Sequence, residues 1–140
     1  MPDHNIFFHT ECDFKLNDSP SYAQWVSKAI ENEKRQVGDI NYVFCDDKYL
    51  LEKNQTFLAH DTYTDIITFD YSVENTVSGD LFISIERVKE NAKIFNHTFE
   101  QELKRVMIHG VLHLIGYGDK TESEQKVMTE KENLYLNTTN

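Results

Sequence analysis

The chain has 140 residues, 39% of them hydrophobic and 12% aromatic, which is enough apolar material for one folded unit with a real core. With 27% charged residues it is neither disordered in composition nor apolar enough anywhere for the roughly 20-residue run that crosses a bilayer. Fourteen Lys and Arg against twenty-four Asp and Glu leave a formal charge of −10, which excludes a non-specific coat for nucleic acid, because the whole-molecule field repels polyanions.

Met1-Pro2-Asp3-His4-Asn5 lacks a basic segment and a leader-length apolar run, so a cytoplasmic protein is expected. Ile6-Phe7-Phe8 reads as a short first strand. Asp18-Ser19-Pro20 opens a helix with a polar cap and Pro in its first turn, and Tyr22, Trp25, Val26, Ala29 and Ile30 carry the helical spacing to about Arg35. Gly38 is expected to close that region, after which Ile40 to Cys45 alternates like a half-buried strand. Asp46 to Asn54 reads as a short helix capped by Asp46 or Asp47. Cys12 and Cys45 are far apart and share no metal-type spacing, so both are expected as reduced packing residues.

Ile66 to Tyr71 is rich in β-branched and aromatic residues and predicts a strand. A polar connection, Ser72 to Gly79, leads into a second strand, Asp80 to Ile85, and the simplest pairing of the two is antiparallel. Helices follow to about Phe95, from about Thr98 to Ile115, and from about Glu122 to Leu136, with residues 137–140 fraying. No repeat or linker interrupts the chain, so residues 1–140 are expected to form a single domain. Strands first and helices last predict an α+β fold, a small mixed sheet packed against several helices. Residues 87–105 hold Arg87, Lys89, Lys93, Lys104 and Arg105 against four glutamates once Glu86 is counted, which makes this the least acidic stretch.

Chemistry concentrates in Val106 to Asp119. His109 and His113 stand four apart on a helix that its Val, Met, Ile and Leu neighbours bury, so both imidazoles leave one face and can share a cation. Gly116 suits a helix end in a left-handed turn, Gly118 adds a second permissive position, and the chain can return to aim Asp119 at the same point. A helix cap for residues from Glu122 onward is the other use open to Asp119. Two imidazoles, one carboxylate and a position for water make the arrangement of a catalytic zinc site. The spacing H-x3-H-x2-G-x2-D follows the extended metzincin peptidase motif, whose third ligand is usually His. Yet Gly110 stands where H-E-x-x-H peptidases carry their general base, and losing that base costs a factor of about 10² to 10⁴.

The segment His109-Gly110-Val111-Leu112-His113-Leu114-Ile115-Gly116-Tyr117 resembles the hallmark HGxLHLxGYxH of the YbeY family of bacterial endoribonucleases, also called rRNA maturation factors. Thr64 to Phe69 is similar to the family's PTDVLSF block, and Gly79 to Ser84 extends the likeness, which covers residues from about 50 to 136. The resemblance implies a zincin-like α+β fold with its metal site on a buried C-terminal helix, one zinc per chain held by His109, His113 and Asp119, and a cytoplasmic role. It also implies hydrolysis of single-stranded RNA or rRNA precursor, maturation of the 3′ end of small-subunit (16S) rRNA, and ribosome quality control, with the small ribosomal subunit as partner. His109 would then take part in catalysis through the metal. A carboxylate ligand in place of the family's third His lowers the positive charge of the site and makes bound water less acidic.

The family's Arg, three residues before the aspartate at position 61, is replaced here by Leu58. A phosphodiester cleaver needs a cation against the developing phosphoryl charge. Arg105 lies one turn before His109 on the metal face and is read as a bidentate phosphate clamp, or else as a solvated arginine paired with Glu102 or Gln101. His60 is a weaker second candidate. Two rival functions stay open: a zinc peptidase with its base from elsewhere, and a non-catalytic ribosome assembly factor with a structural zinc.

Overall fold

Two strands alternate through their central residues, and that alternation decides where the core lies. Ile40, Tyr42 and Phe44 of one strand and Val77, Leu81 and Ile83 of another are fully buried, all facing the same helices. The computed structural model describes residues 5–58 and 65–137, with the backbone alone for 54–58. Its elements run β1 (Ile6–Thr10), α1 (Ser19–Asn32), β2 (Gln36–Cys45), α2 (Asp47–Leu58), β3 (Ile66–Asp70), β4 (Thr76–Ser84), α3 (Ile85–Ile94), α4 (Phe99–Ile115) and α5 (Glu122–Leu136).

The sheet is mixed, in the order β1-β2-β4-β3. β1 and β4 flank β2 in parallel, and β3 closes the edge antiparallel to β4, with Phe69 opposite Asp80. This is the α+β architecture that the chain order predicts. One sheet face packs against α1 and α4 and carries the main core. The other holds a smaller cluster of Cys45, Leu50 and Ile67 under α2. Both Cys12 and Cys45 are free thiols, and burial pushes the Cys45 thiol up to about 12, so it is inert packing.

Three local expectations need correction. Gly38 lies inside β2, at a register shift between Val37 and Ile40. There a Cβ would sit 2.1 Å from Ser78 Oγ, so glycine permits the bulge rather than ending an element. β4 begins at Thr76, within the segment read as a connection, because Val73 and Thr76 close a tight turn with reciprocal backbone bonds of 3.1 and 3.0 Å. Asp18 precedes α1 at φ 59° without a side-chain cap bond, its carbonyl instead accepting from the Ser21 amide at 3.0 Å. The cap of α2 is Asp46, whose Oδ1 accepts from the Tyr49 amide at 2.8 Å.

α4 is the central helix. Thr98 and Gln101 close a capping box at its start, and Leu103, Met107, Ile108, Val111 and Leu112 bury its inner face. Tyr42 reaches up from the sheet and donates its hydroxyl to the Met107 carbonyl at 3.0 Å. α5 returns alongside α4 and is tied to α1 where the Trp25 indole donates to the Tyr135 carbonyl at 2.9 Å. Among the described residues no helix is long and apolar enough to cross a membrane.

Candidate metal centre

α4 crosses the sheet closely because Gly110 lets it. A Cβ at that position would lie 2.3 Å from Leu81 and 2.6 Å from Ile66, so residue 110 faces the sheet and has no room for any side chain. His109 and His113 emerge on the adjoining flank of the helix, half-buried, with ring centroids 4.6 Å apart. The helix then ends at Gly116, whose φ of 125° few side chains tolerate, and the Gly116 and Tyr117 amides both return to the Leu112 carbonyl at 3.1 and 3.0 Å.

That turn aims Asp119 at the imidazoles. The cap of α5 is Thr121, in a capping box with Glu124, so Asp119 is not the cap and its carboxylate is left to face the histidines. Gln125 Nε2 donates to the Asp119 carbonyl at 3.0 Å and fixes the loop from the other side. The result is a triangle: His109 Nε2 to His113 Nε2 at 3.0 Å, His113 Nε2 to Asp119 Oδ2 at 3.3 Å, and His109 Nε2 to Asp119 Oδ2 at 3.4 Å.

The remaining nitrogens settle what those atoms are. His113 Nδ1 lies 2.9 Å from the Tyr117 carbonyl, which can only accept, so Nδ1 carries the proton. His109 Nδ1 lies 2.7 Å from Glu132 Oε2, another acceptor. In neutral imidazoles both Nε2 atoms are therefore bare lone pairs, pointed at each other and at a carboxylate with no N–H between them. Three acceptors in mutual contact need a positive charge among them. Donors bound at 2.0–2.1 Å to a tetrahedral ion stand about 3.3 Å apart, which the triangle approaches on each side. His109, His113 and Asp119 are the one such group among the described residues, and they fit a zinc-type ion.

A carboxylate that the sequence did not single out supports this group. Glu132 of α5 is buried and works both ways, holding His109 with Oε2 and Arg105 Nη1 with Oε1 at 2.7 Å each. Burial pulls the His109 pKa down, but the hydrogen bond and charge of Glu132, with Asp119 and Asp65, outweigh it and leave it above the ordinary imidazole value. Asp65, just before β3, joins Glu102, Arg105, Val106, His109 and Glu132 around a cavity of about 120 Å³, and burial raises its carboxyl pKa. Its signal was the similarity of the Thr64 to Phe69 block. Glu132 had no local signal.

Arg105 does lie on the metal face, but it pairs with neither Glu102 nor Gln101. Nη1 binds Glu132 and Nη2 binds Asn133 Oδ1 at 2.9 Å, an arrangement set by the return of α5. Two of its five N–H donors are thus used. His60 and Thr64 lie outside the described residues, as does the side chain of Leu58.

Residues 8–140 match the family described as Endoribonuclease YbeY. Proteins of that name from Christiangramia forsetii and Flavobacterium psychrophilum are 56% and 55% identical over 127 residues, spanning 91% of this chain and 89% and 91% of theirs. The one from Cytophaga hutchinsonii is 46% identical over 138 residues, 97% of this chain and 96% of its own. The solution structure of a Thermotoga maritima protein superposes with a TM-score of 0.67 at 31% identity, covering 94% of this chain and 86% of that one.

Proposed function

The chain belongs to the YbeY family of endoribonucleases, and from that premise we propose that it is a zinc-dependent endoribonuclease cutting single-stranded RNA, with residues 1–140 acting as one hydrolase unit. The observation that carries the metal half of this reading is the convergence of His109 Nε2, His113 Nε2 and Asp119 Oδ2 at 3.0 to 3.4 Å from one another. His109, His113 and Asp119 would hold the ion, one per chain. Zinc, when bound, supplies Lewis acidity toward a phosphoryl oxygen and activates water at neutral pH.

The protein's own groups do the rest. Glu132 fixes the His109 ring, and the Tyr117 carbonyl fixes that of His113, so neither ring needs to reorient when a substrate arrives. Arg105 keeps three N–H donors beyond its bonds to Glu132 and Asn133, enough to grip a phosphate while staying anchored. A guanidinium one turn from the acceptor triangle opposes the charge that builds on phosphoryl oxygens.

Peptide cleavage is the weaker reading. The base position of a zinc peptidase is residue 110, and a glutamate there would be driven into Leu81 and Ile66. The substrate proposed is rRNA precursor, at the 3′ end of small-subunit rRNA, in a cytoplasmic role that includes ribosome quality control. A chain of charge −10 gains from protein contacts on a small ribosomal subunit what its own field denies it on bare RNA.

The test is cleavage of a single-stranded oligoribonucleotide by purified protein. A chelator should stop it, added zinc should restore it, and His113→Ala should lack both activity and metal. Arg105→Ala should lose about 10²-fold or more in rate while keeping its zinc. Binding to the subunit without any cutting would make the protein an assembly factor and refute the proposal.

A further inference from the structure

We infer that the corner between α3 and α4 is a binding subsite for the single-stranded RNA substrate, in which bases stack on Phe95 and His97 and a phosphate sits against Lys104 and Arg105. The inference rests on the ribonuclease reading and deepens it by naming where the strand runs away from the reacting phosphate.

Beside that corner, between the start of α4 and the end of α5, lies a cavity of about 360 Å³ walled by His97, Thr98, Gln101, Lys104, Arg105 and Asn133. Arg105 also walls the smaller cavity beside His109, so one guanidinium joins the two spaces. In the turn before His97, Phe95 is 58% exposed and Ile94, at the end of α3, 67%. Asn96, at φ 57°, turns the chain so that the Phe95 and His97 rings lie 6.3 Å apart and tilted by 38°. The platform is rigid: the His97 amide donates to the Ala92 carbonyl at 2.8 Å, and its Nδ1 is held 3.2 Å from the buried Glu102 carboxylate.

An exposed aromatic pair beside two cations is the usual platform for an unpaired strand, because every base has a face to stack while a duplex has none to offer. The helix terminus is not the anion site, since Thr98 and Gln101 use each other's amides in the capping box. Lys104 supplies charge from a fixed place, its ammonium lying 5.7 Å from the Tyr22 ring and 5.8 Å from that of Trp25. Glu100 also lines the cavity and offsets part of that charge, so stacking contributes more than counterion release. With two cations in contact, the salt slope for a single strand should be only about −1.4.

Length adds a second constraint. From His109 back to Gln101 is eight residues, about 12 Å along α4. A stacked strand covers that with about three to four nucleotides at 3.4 Å each. Oligomers of three nucleotides placed at the triangle cannot reach Phe95; oligomers of eight can.

The experiment measures fluorescence anisotropy of fluorescein-labelled oligouridylates of three and eight nucleotides with the full chain in EDTA, where nothing is cut and no metal contact contributes. Phe95→Ala should weaken the eight-nucleotide probe about fivefold or more in EDTA, whereas with zinc present to hold the three-nucleotide probe at the triangle its KM should change by less than about twofold. Lys104→Gln should weaken the longer probe and flatten its salt dependence. With zinc present, both variants should raise KM for the longer probe. Unchanged affinity and KM in both variants would overturn the subsite while leaving the ribonuclease reading intact, and a duplex bound as tightly as the single strand would overturn it too. Phe95-dependent binding with no cleavage at any zinc concentration would uphold the subsite and refute the ribonuclease reading.

Discussion

Replacing Glu132 by alanine tests whether the acceptor triangle is held in place by the residues around it. The Glu132 side chain is 9% exposed and makes two charge-assisted bonds of 2.7 Å, to His109 Nδ1 and Arg105 Nη1. Without it, His109 loses the partner that fixes both its tautomer and its ring plane, and removing such a partner costs about 10- to 100-fold in metal affinity, or about 1.4 to 2.7 kcal/mol. Breaking a fully buried ion pair costs about 3 to 5 kcal/mol of folding free energy. Here the His109 and Arg105 side chains are 24% and 27% exposed, so water and Asn133 repair part of the loss and about 1 to 3 kcal/mol is expected. Glu132→Gln separates the effects, because its amide oxygen still accepts from His109 while the charge facing Arg105 is gone. Zinc affinity by competition with a chromophoric chelator, alongside urea unfolding of the metal-free protein, reads both quantities. Wild-type zinc affinity in a folded Glu132→Ala protein would refute the account of His109.

Other outcomes follow from the same geometry. Burial works against the Glu33 carboxylate, yet hydrogen bonds from Tyr117, Tyr135 and Lys131 hold its pKa below the ordinary value of 4.5. Its stabilisation is therefore complete above about pH 4.5 and lost as pH falls through the depressed folded value, so Glu33→Gln should flatten the acid limb of a stability–pH curve. Gly110→Ala should destabilise the fold by about 1 to 3 kcal/mol in urea unfolding, since its methyl would meet Leu81 and Ile66 at 2.3 and 2.6 Å. Zinc at a hundred times its Kd should add about 2.7 kcal/mol to the metal-free protein and raise Tm by about 8 °C; a Tm blind to zinc would argue against the triangle as a metal site.

The parts of the molecule that could be read in advance are those whose determinants are close in sequence. The alternation from Ile40 to Cys45 and the helical runs from about Thr98 and about Glu122 are local, and their elements fall near where the residues place them. The parallel pairing of β1 with β2 was not legible, because a crossover through α1 lies between them. Gly38 was misread for a related reason: glycine ends many elements, and only the approach of Ser78 from β4 shows that this one makes a bulge.

The candidate site divides along the same line. By itself the chain order determined the triangle, since His109 and His113 are one helical turn apart and Gly116 brings Asp119 back within a few residues. Tertiary structure alone decided what stands behind it. Glu132 is 23 residues beyond His109, and Glu33 is 84 before Tyr117. Which carboxylate reaches which ring depends on how α5 and α1 pack around α4, and packing of helix faces leaves no periodic mark in the chain. The same packing gave Arg105, legible in advance only as lying on the metal face, its partners Glu132 and Asn133.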